Sequence, residues 1–201
     1  MQPEVPYVVP WTGETVPPVE TEVTSRGVAY YNPFQDGFYR DQDNILWAIC
    51  EGTRDGQPAY ARELHPNRQK EAMHHLLCAG CSGPPARDED GVLWLLPLLD
   101  DAEDTIWESV QTVIPPMCEG CASDSKQFCP RLRDGYVELR VQEAEKIGVR
   151  GTLYPRPDEE GDPDPDKLVL YDSPEEKFVI ARQLVRELRG VTVIAFAAAA
   201  P

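Results

Sequence analysis

Two pairs of cysteines constrain this sequence more than any other feature. Cys78 and Cys81 stand in the segment CAGC, and Cys118 and Cys121 stand in CEGC. A CxxC turn places two sulfurs on one side of a metal ion, and two such turns supply the four thiolates that complete the tetrahedral shell of Zn²⁺. The spacing therefore predicts one structural zinc ion bound by Cys78, Cys81, Cys118 and Cys121.

Length and composition limit the architecture and the compartment. A chain of 201 residues, 41% of them hydrophobic, can bury one core or one core with a small satellite. Neither an export signal nor a run of roughly 20 apolar residues occurs in it. We therefore expect a cytoplasmic protein that crosses no membrane, in which CxxC pairs are metal ligands or redox groups more often than structural disulfides.

The charge of the chain restricts its partners. The formal net charge is −16 at pH 7. Such a chain repels the phosphates of DNA, RNA and anionic lipids instead of releasing their counterions. Nucleic acid and membrane surfaces are therefore not the expected partners.

Proline, glycine and charge patterns predict three regions in an α+β chain. Residues 1–27 are proline-rich and acidic and predict an extended arm. Residues 28–157 predict a zinc-binding α+β body with short antiparallel strands. The acidic, proline-punctuated stretch EEGDPDPD then predicts a loop. Residues 166–201 predict a strand-helix-strand unit that packs on the body.

Local patterns predict the elements of the body. Short β-branched and aromatic runs indicate strands at 27–31 and 44–49, joined as a hairpin. Helical spacing predicts helices over 66–77, 100–114 and 122–129. GVLWLL is apolar throughout and predicts a buried strand, whereas YVELRVQ alternates and places Val137, Leu139 and Val141 on one face.

The C-terminal region has an apparent helix signal. Ser173 precedes Pro174 and Glu176, a pattern typical of a capped helix start, and Gly190 follows the last periodic residue. The apolar stripe of the expected helix consists of Phe178, Ala181, Leu184, Val185 and Leu188.

The order of elements around the cysteines resembles that of the treble-clef zinc fingers. There a zinc knuckle supplies one ligand pair and the N-terminus of a helix supplies the other, as CAGC and CEGCASDSKQF do here. Across a longer span, the segments PYVVPW, HPNRQKEAMHHLLCAGC, GVLWLL and CASDSKQFCPRL resemble a group of uncharacterised actinobacterial proteins. That resemblance implies no activity.

The remaining cysteines and the histidines have alternative interpretations. His74 could replace one cysteine as a metal ligand, although a helical histidine near a site is more often a neighbouring group. Cys129 lies too far along its helix to share the ion, so it is expected to be a small buried residue. Cys50 is also expected to be a small buried residue, because the sequence places no histidine or acidic partner beside it. His65 is expected to begin a helix.

A short similarity within the chain also needs an interpretation. DQDNILW at 41–47 and DEDGVLW at 88–94 share an acidic turn, an apolar run and a tryptophan. They are either two divergent copies of one unit that share the metal or a chance similarity. The acidic clusters do not form a twelve-residue calcium loop with a terminal glutamate, so they are turn residues first.

No catalytic motif is recognised in the sequence. There is no phosphate-binding glycine loop, GxSxG or HExxH, and no histidine follows His75 to serve an HNH-type nuclease. The expected function is binding of a macromolecule, most simply another protein, by a zinc-stabilised fold. The alternatives are an enzyme with scattered catalytic groups and a zinc-finger DNA-binding regulator.

Overall fold

The structure is a computed structural model that describes residues 5–98 and 106–198. It is mixed α and β, with strands in the majority. In chain order the elements are β1 (Glu14–Thr15), β2 (Thr21–Thr24), β3 (Gly27–Tyr30), α1 (Pro33–Tyr39), β4 (Leu46–Trp47), β5 (Glu51–Gly52), α2 (Pro66–His75), β6 (Arg87–Asp88), β7 (Gly91–Pro97), β8 (Gln111–Thr112), α3 (Glu119–Phe128), β9 (Gly135–Leu153), β10 (Asp164–Leu170) and β11 (Val179–Ala198). None of the helices in these residues has the length and apolarity needed to cross a bilayer.

The main sheet is built around β9 and β11, which pair antiparallel along almost their whole length. The sheet has seven strands, in the order β4-β11-β9-β7-β6, with β10 also on β9 and β8 also on β11. β7 pairs with the first half of β9, and β10 pairs with its second half. Two short two-stranded sheets, β1 with β5 and β2 with β3, lie outside it.

Several elements agree with the sequence patterns. Val137, Leu139 and Val141 of β9 are each at most 1% exposed, as their alternation predicts. β7 is buried on both faces, because Leu93 and Trp94 are both fully inaccessible. The helices α2 and α3 also form where helical spacing predicts them.

The predicted strand-helix-strand unit at 166–201 is wrong. Residues 179–198 form the single strand β11, and β10 and β11 both belong to the main sheet. The residues expected on a helical stripe are nevertheless buried, because Ala181, Leu184 and Leu188 face the core from the strand.

A β-bulge explains why this strand resembles a helix in sequence. Ala181 pairs with Gly151 and Gln183 pairs with Arg150, so Arg182 is an extra residue in β11. An extra residue shifts the alternation by one position. The inward residues Ala181, Leu184 and Leu188 are therefore three and four positions apart, which is the spacing of a helix face.

Three smaller predictions are also wrong. Ser173 does not cap a helix, since its hydroxyl has no hydrogen-bond partner and only a 3₁₀ turn at Glu176–Phe178 follows. β3 pairs with β2 rather than with the strand near residue 46. The expected helix over 100–114 lies partly outside the described residues, and residues 106–114 contain β8 instead.

One side chain joins α2 to the middle of β11. Gln69 of α2 is fully buried. Its amide nitrogen donates to the carbonyl of Leu184 at 2.9 Å, and its amide oxygen accepts the N–H of Leu184 at 2.9 Å. Gln69 thus satisfies the backbone N–H and C=O of Leu184. On this side of β11, Leu184 lies in a gap between two short strands. β4 pairs with Ile180 and Ala181, and β8 pairs with Arg186 and Glu187.

A buried ion pair fixes the N-terminal segment to α2. Glu14 of β1 accepts hydrogen bonds from Arg68 of α2 at 2.6 and 2.7 Å and from the N–H of Trp11 at 2.8 Å. The hydrogen bonds from Arg68 lower the pKa of Glu14 to about 2, against the opposing effect of burial.

We expect Glu14→Gln to destabilise the protein at neutral pH by about 3 kcal/mol, since one pKa unit corresponds to about 1.4 kcal/mol. The folded pKa lies below the ordinary value of 4.5. The contribution of the Glu14 carboxylate to the free energy of unfolding is therefore complete above pH 4.5 and is lost as the pH falls toward 2. Urea unfolding of wild type and variant over that range should show the difference in unfolding free energy shrinking.

Glu63→Gln is the matched control, because Glu63 pairs with Arg182 at the surface and is half exposed. It should change the unfolding free energy by less than about 1 kcal/mol. A difference between wild type and Glu14→Gln that does not depend on pH would contradict the assignment.

Candidate metal centre

The first cysteine pair lies in a tight turn after α2. Leu76 ends that helix in the left-handed conformation, with φ of 52°. The N–H of Cys78 then donates to the carbonyl of Gly83 at 2.7 Å, and the N–H of Ser82 donates back to the carbonyl of Cys78 at 2.9 Å. These reciprocal bonds close the CAGC segment into a knuckle.

The second cysteine pair lies at the start of α3. Cys118 is the N-cap residue, and its sulfur accepts the N–H of Cys121 at 3.5 Å. A helix N-terminus carries partial positive charge from its free N–H groups. It therefore favours thiolates at both positions.

The fold brings the four sulfurs together. All four lie within 4.8 Å of one another, and the sulfurs of Cys81 and Cys118 are 4.0 Å apart. Tetrahedral coordination at a Zn–S distance of about 2.3 Å requires sulfurs about 3.8 Å apart. None of the six cysteines is disulfide-bonded. The cluster can thus bind a metal ion such as zinc.

Backbone N–H groups also point at the sulfurs. The sulfur of Cys78 accepts the N–H of Cys118 at 3.2 Å and the N–H of Gly80 at 3.4 Å. Such bonds offset part of the negative charge that four thiolates place around one dication. The chain supplies this support from its own main chain, without a basic side chain.

Burial opposes ionisation of the thiols when no cation is bound. It raises the pKa of Cys78 and of Cys121, and neighbouring thiols raise that of Cys121 further. The pKa of Cys118 is lowered: burial raises it, but the N–H of Cys121 and the neighbouring thiols stabilise its thiolate more. A bound dication would supply the charge that this environment lacks.

The cluster joins three parts of the chain. The N–H groups of Tyr7 and Val8 donate to the carbonyls of Gly80 and Ala79, which holds the N-terminal segment on the knuckle. The N–H of Ala79 donates to the carbonyl of Pro116, just before the second pair. Cys78, Leu93 and Ala122 belong to one apolar cluster beneath the sulfurs. The site is therefore continuous with the core.

The histidines lie outside the cluster. Among the described residues, the only group of three or more potential ligands is the four cysteines. His74 and His75 stack edge to face with ring centroids 4.6 Å apart. Partial burial lowers the pKa of His74, and the nearby positive charges of Lys146 and Arg186 lower it further. The structure gives no ligand role to His74.

Cys50 has a histidine neighbour that the sequence did not reveal. Its sulfur lies 3.3 Å from Nε2 of His65, and both line a pocket of about 430 Å³ with Arg62 and Arg182. His65 is fifteen positions after Cys50, and the chain between them is irregular apart from β5, so no periodicity could have predicted the contact. Both Cys50 and Cys129 are partly exposed rather than fully buried.

The Cys50–His65 pair does not have the electrostatics of an activated nucleophile. Nδ1 of His65 accepts the N–H of Arg68 as the N-cap of α2, so the neutral ring carries its proton on Nε2, facing the sulfur. Burial raises the pKa of Cys50, and the Glu14 carboxylate raises it further. Burial and the charge of Arg68 lower the pKa of His65. Both shifts favour the neutral pair over a thiolate and imidazolium.

The two similar stretches form the same local turn. Asp41 accepts the N–H of Asp43 at 3.1 Å, and Asp88 accepts the N–H of Asp90 at 3.0 Å. The fourth residue of each has positive φ, 62° at Asn44 and 117° at Gly91. The strands that follow differ, since β4 is parallel to β11 whereas β7 is antiparallel to β9. The similarity therefore extends through the turn and not to the pairing of the strands.

The two glycines of the CxxC turns provide a matched pair of variants. A Cβ at Gly80 would lie 2.6 Å from both Cβ and Sγ of Cys121, whereas a Cβ at Gly120 would meet nothing within 4 Å. Gly80→Ala should weaken metal affinity at least about tenfold, because a ligand must move. Gly120→Ala, inside α3, should leave affinity unchanged and stabilise the fold by up to about 1 kcal/mol. Competition with a chromophoric chelator measures both, and equal affinities for the two variants would contradict the geometry.

Metal content of cysteine variants tests the ligand set. We expect about one metal ion per purified wild-type chain, because four thiolates complete one shell. Cys78→Ser should abolish the bound metal. Cys129→Ser and Cys50→Ser should each retain it, since neither sulfur belongs to the cluster. Elemental analysis by plasma mass spectrometry gives the stoichiometry, and a metal-loaded Cys78→Ser chain would contradict the assignment.

Comparison with known proteins yields no relative. No protein-family model matches this chain, and no curated protein or solved structure matches it either. The cysteine cluster, argued from its own geometry, is therefore the basis for a functional proposal.

Proposed function

We propose that this chain is a protein-binding protein whose fold is held by one structural zinc ion. Cys78, Cys81, Cys118 and Cys121 are its ligands. Four sulfurs complete the shell, which leaves no open position for water or substrate, as in structural rather than catalytic zinc sites. The full burial of Cys78 supports the same role. Four thiolates in tetrahedral geometry accept iron as well as zinc, and elemental analysis distinguishes the two.

The zinc region is treble-clef-like in the order of its elements. The knuckle at Cys78 to Cys81 is followed by the antiparallel pair β6 and β7, and then by α3, which carries the second ligand pair at its N-terminus. Residues 98–117 extend the connection between β7 and α3. This order supports the proposal that the metal organises the region between α2 and α3.

The observation that carries the binding function is a set of exposed aromatic side chains on and beside α1. Phe34, Phe38 and Tyr31 are 87%, 79% and 72% exposed. We call them the α1 aromatic patch. Large exposed apolar groups that lie close together mark interaction sites, and aromatic residues are enriched there.

The helix α1 is held in place by polar contacts and by Tyr39, which packs against Tyr30 and the core. Phe34 and Phe38 are therefore not needed to hold the helix. It contains no buried residue. Asp36 accepts the N–H of Tyr30 and pairs with Arg40, which donates to the carbonyl of Val28 at 2.7 Å. A network of this kind fixes the helix while leaving Phe34 and Phe38 available to a partner.

Two alternatives receive less support. An enzyme would need an activated group, and the Cys50–His65 pair lacks one. A DNA-binding regulator would need free cations on an acidic chain. Arg131 instead donates to the carbonyl of Tyr60, and Arg140 pairs with Asp88 and Glu119. We place the protein in a reducing compartment, the cytoplasm, because none of its six cysteines is disulfide-bonded.

Quantitative affinity capture tests the binding function. With the full zinc-loaded chain as bait, we expect a defined set of proteins from cells of the source organism. Phe34→Ser with Phe38→Ser should reduce their recovery at least about tenfold, because both anchors are removed. Leu170→Ser, at an exposed apolar residue of β10, is the matched control and should retain them.

Zinc content and thermal unfolding should be the same for all three baits, because none of the changes lies in the core. Recovery that is unaffected by the double variant would sink the assignment of the patch. A bait that captures no protein reproducibly would sink the binding function itself. Captured copies of the chain itself are excluded from the comparison.

A further inference from the structure

The second half of β11 has one unpaired side. Residues 191–198, with the sequence VTVIAFAA, pair with β9 on one side only, and we call their outer side the β11 edge. Earlier in the same strand, β4, Gln69 and β8 cover that side in turn. Within residues 5–98 and 106–198, no strand pairs with the β11 edge.

Some backbone N–H and C=O groups of this segment point away from β9, where another strand could bind them. The N–H of Val191 points away from β9, because it donates to the carboxylate of Glu108 at 3.0 Å. Alternate residues of a strand direct their N–H and C=O groups to the same side. The N–H and C=O of Val193 therefore also point outward, and no described residue bonds to them. An edge of this kind is a template for another strand.

The apolar surface of the sheet continues to the β11 edge and is only half covered there. Trp94 of β7 pairs with Leu139 of β9, which pairs with Val193. These three residues form one row across the sheet. In the next row, Leu96 of β7 pairs with Val137 of β9, which pairs with Phe196 of β11. The residues of β7 and β9 in these rows are at most 4% exposed, whereas Val193 is 48% exposed and Phe196 is 43% exposed. A further strand would complete both rows.

The edge strand β10 of the same sheet is protected, whereas the β11 edge is not. Among the described strands β10 pairs only with β9, and its first four residues are Asp164, Pro165, Asp166 and Lys167. Charges and proline on an edge strand prevent pairing with other chains. The segment 191–198 has no charge and no proline, although the chain has a net charge of −16.

We propose that the β11 edge pairs with the same edge of a second copy of this chain, as an antiparallel two-fold contact. Two chains of net charge −16 repel each other over most of their surface. Beyond the Glu108 carboxylate, which binds the N–H of Val191, residues 192–198 carry no charge, and the backbones of two copies can meet there. Antiparallel pairing of a segment with itself is closed, so it stops at a dimer.

In a register centred between Ile194 and Ala195, Val193 of each copy lies opposite Phe196 of the other. These residues share the apolar face of the sheet, because the bulge at Ile194 brings both into line with Leu139 and Val137. Each row then passes from one copy to the other without a polar interruption.

Sedimentation velocity of the full zinc-loaded chain tests the proposal. Under reducing conditions, at roughly 1 to 100 µM, we expect a species of twice the 22.5 kDa chain mass. Val193→Lys places a charge at the centre of the contact and should weaken dimerisation at least about tenfold. Leu170→Lys, at a residue of the protected edge that is also half exposed, should leave it unchanged. Equal zinc content in all three chains shows that each is folded.

Hydrogen exchange on the wild-type chain provides a measurement that needs no variant. Peptides covering residues 191–198 should exchange more slowly at the concentration where the dimer forms than at the concentration where it dissociates. A chain that is monomeric throughout the range would overturn the proposal, whether these amides exchange rapidly or are protected at every concentration. A dimer that Val193→Lys does not weaken would overturn it as well.

Discussion

The antiparallel pairing of β9 with β11 is the interaction on which the rest of the fold depends. These strands have 19 and 20 residues, far more than the usual five or six. β7 and β10 attach to β9, and β4 and β8 attach to β11. Bulges interrupt the pairing at three positions and increase the twist of the two strands. Because of this added twist, strands of this length can wrap around a compact core. Every large strand of the molecule is thus placed by this one ladder.

The cysteine cluster supplies a second constraint, at the side of the sheet where α2, α3 and the N-terminal segment meet. The helix α3 contributes little to the apolar cluster there, because Ala122 is its only buried residue. Hydrophobic burial alone would therefore give α3 little stability. A metal ion at the proposed site, bound by Cys118 before the first turn of α3 and by Cys121 within it, would compensate for that lack, because binding free energy at such a site becomes folding free energy.

The sequence predicted what depends on local spacing. The two CxxC turns, the alternation of Val137, Leu139 and Val141, and the helix that begins after His65 are all local patterns, and the structure contains each of them. The helix expected after Ser173 is wrong for an equally local reason, because one bulged residue gave a strand the periodicity of a helix. The contact of Cys50 with His65 and the two-strand ladder depend on residues that are distant in the chain. No pattern within a short window contains that information.

The bonds of Gln69 make α2 a rigid connection between the metal and the sheet. Its middle is fixed to the backbone of Leu184, and its C-terminal end leads through one turn into Cys78. A ten-residue helix is about 15 Å long and does not bend easily over that length. Any displacement of the knuckle on loss of a metal from the proposed site would therefore tilt the helix about Gln69 or break its two bonds to Leu184. Hydrogen exchange at the amide of Leu184, in the interior of the sheet, would then depend on whether the proposed metal site is occupied.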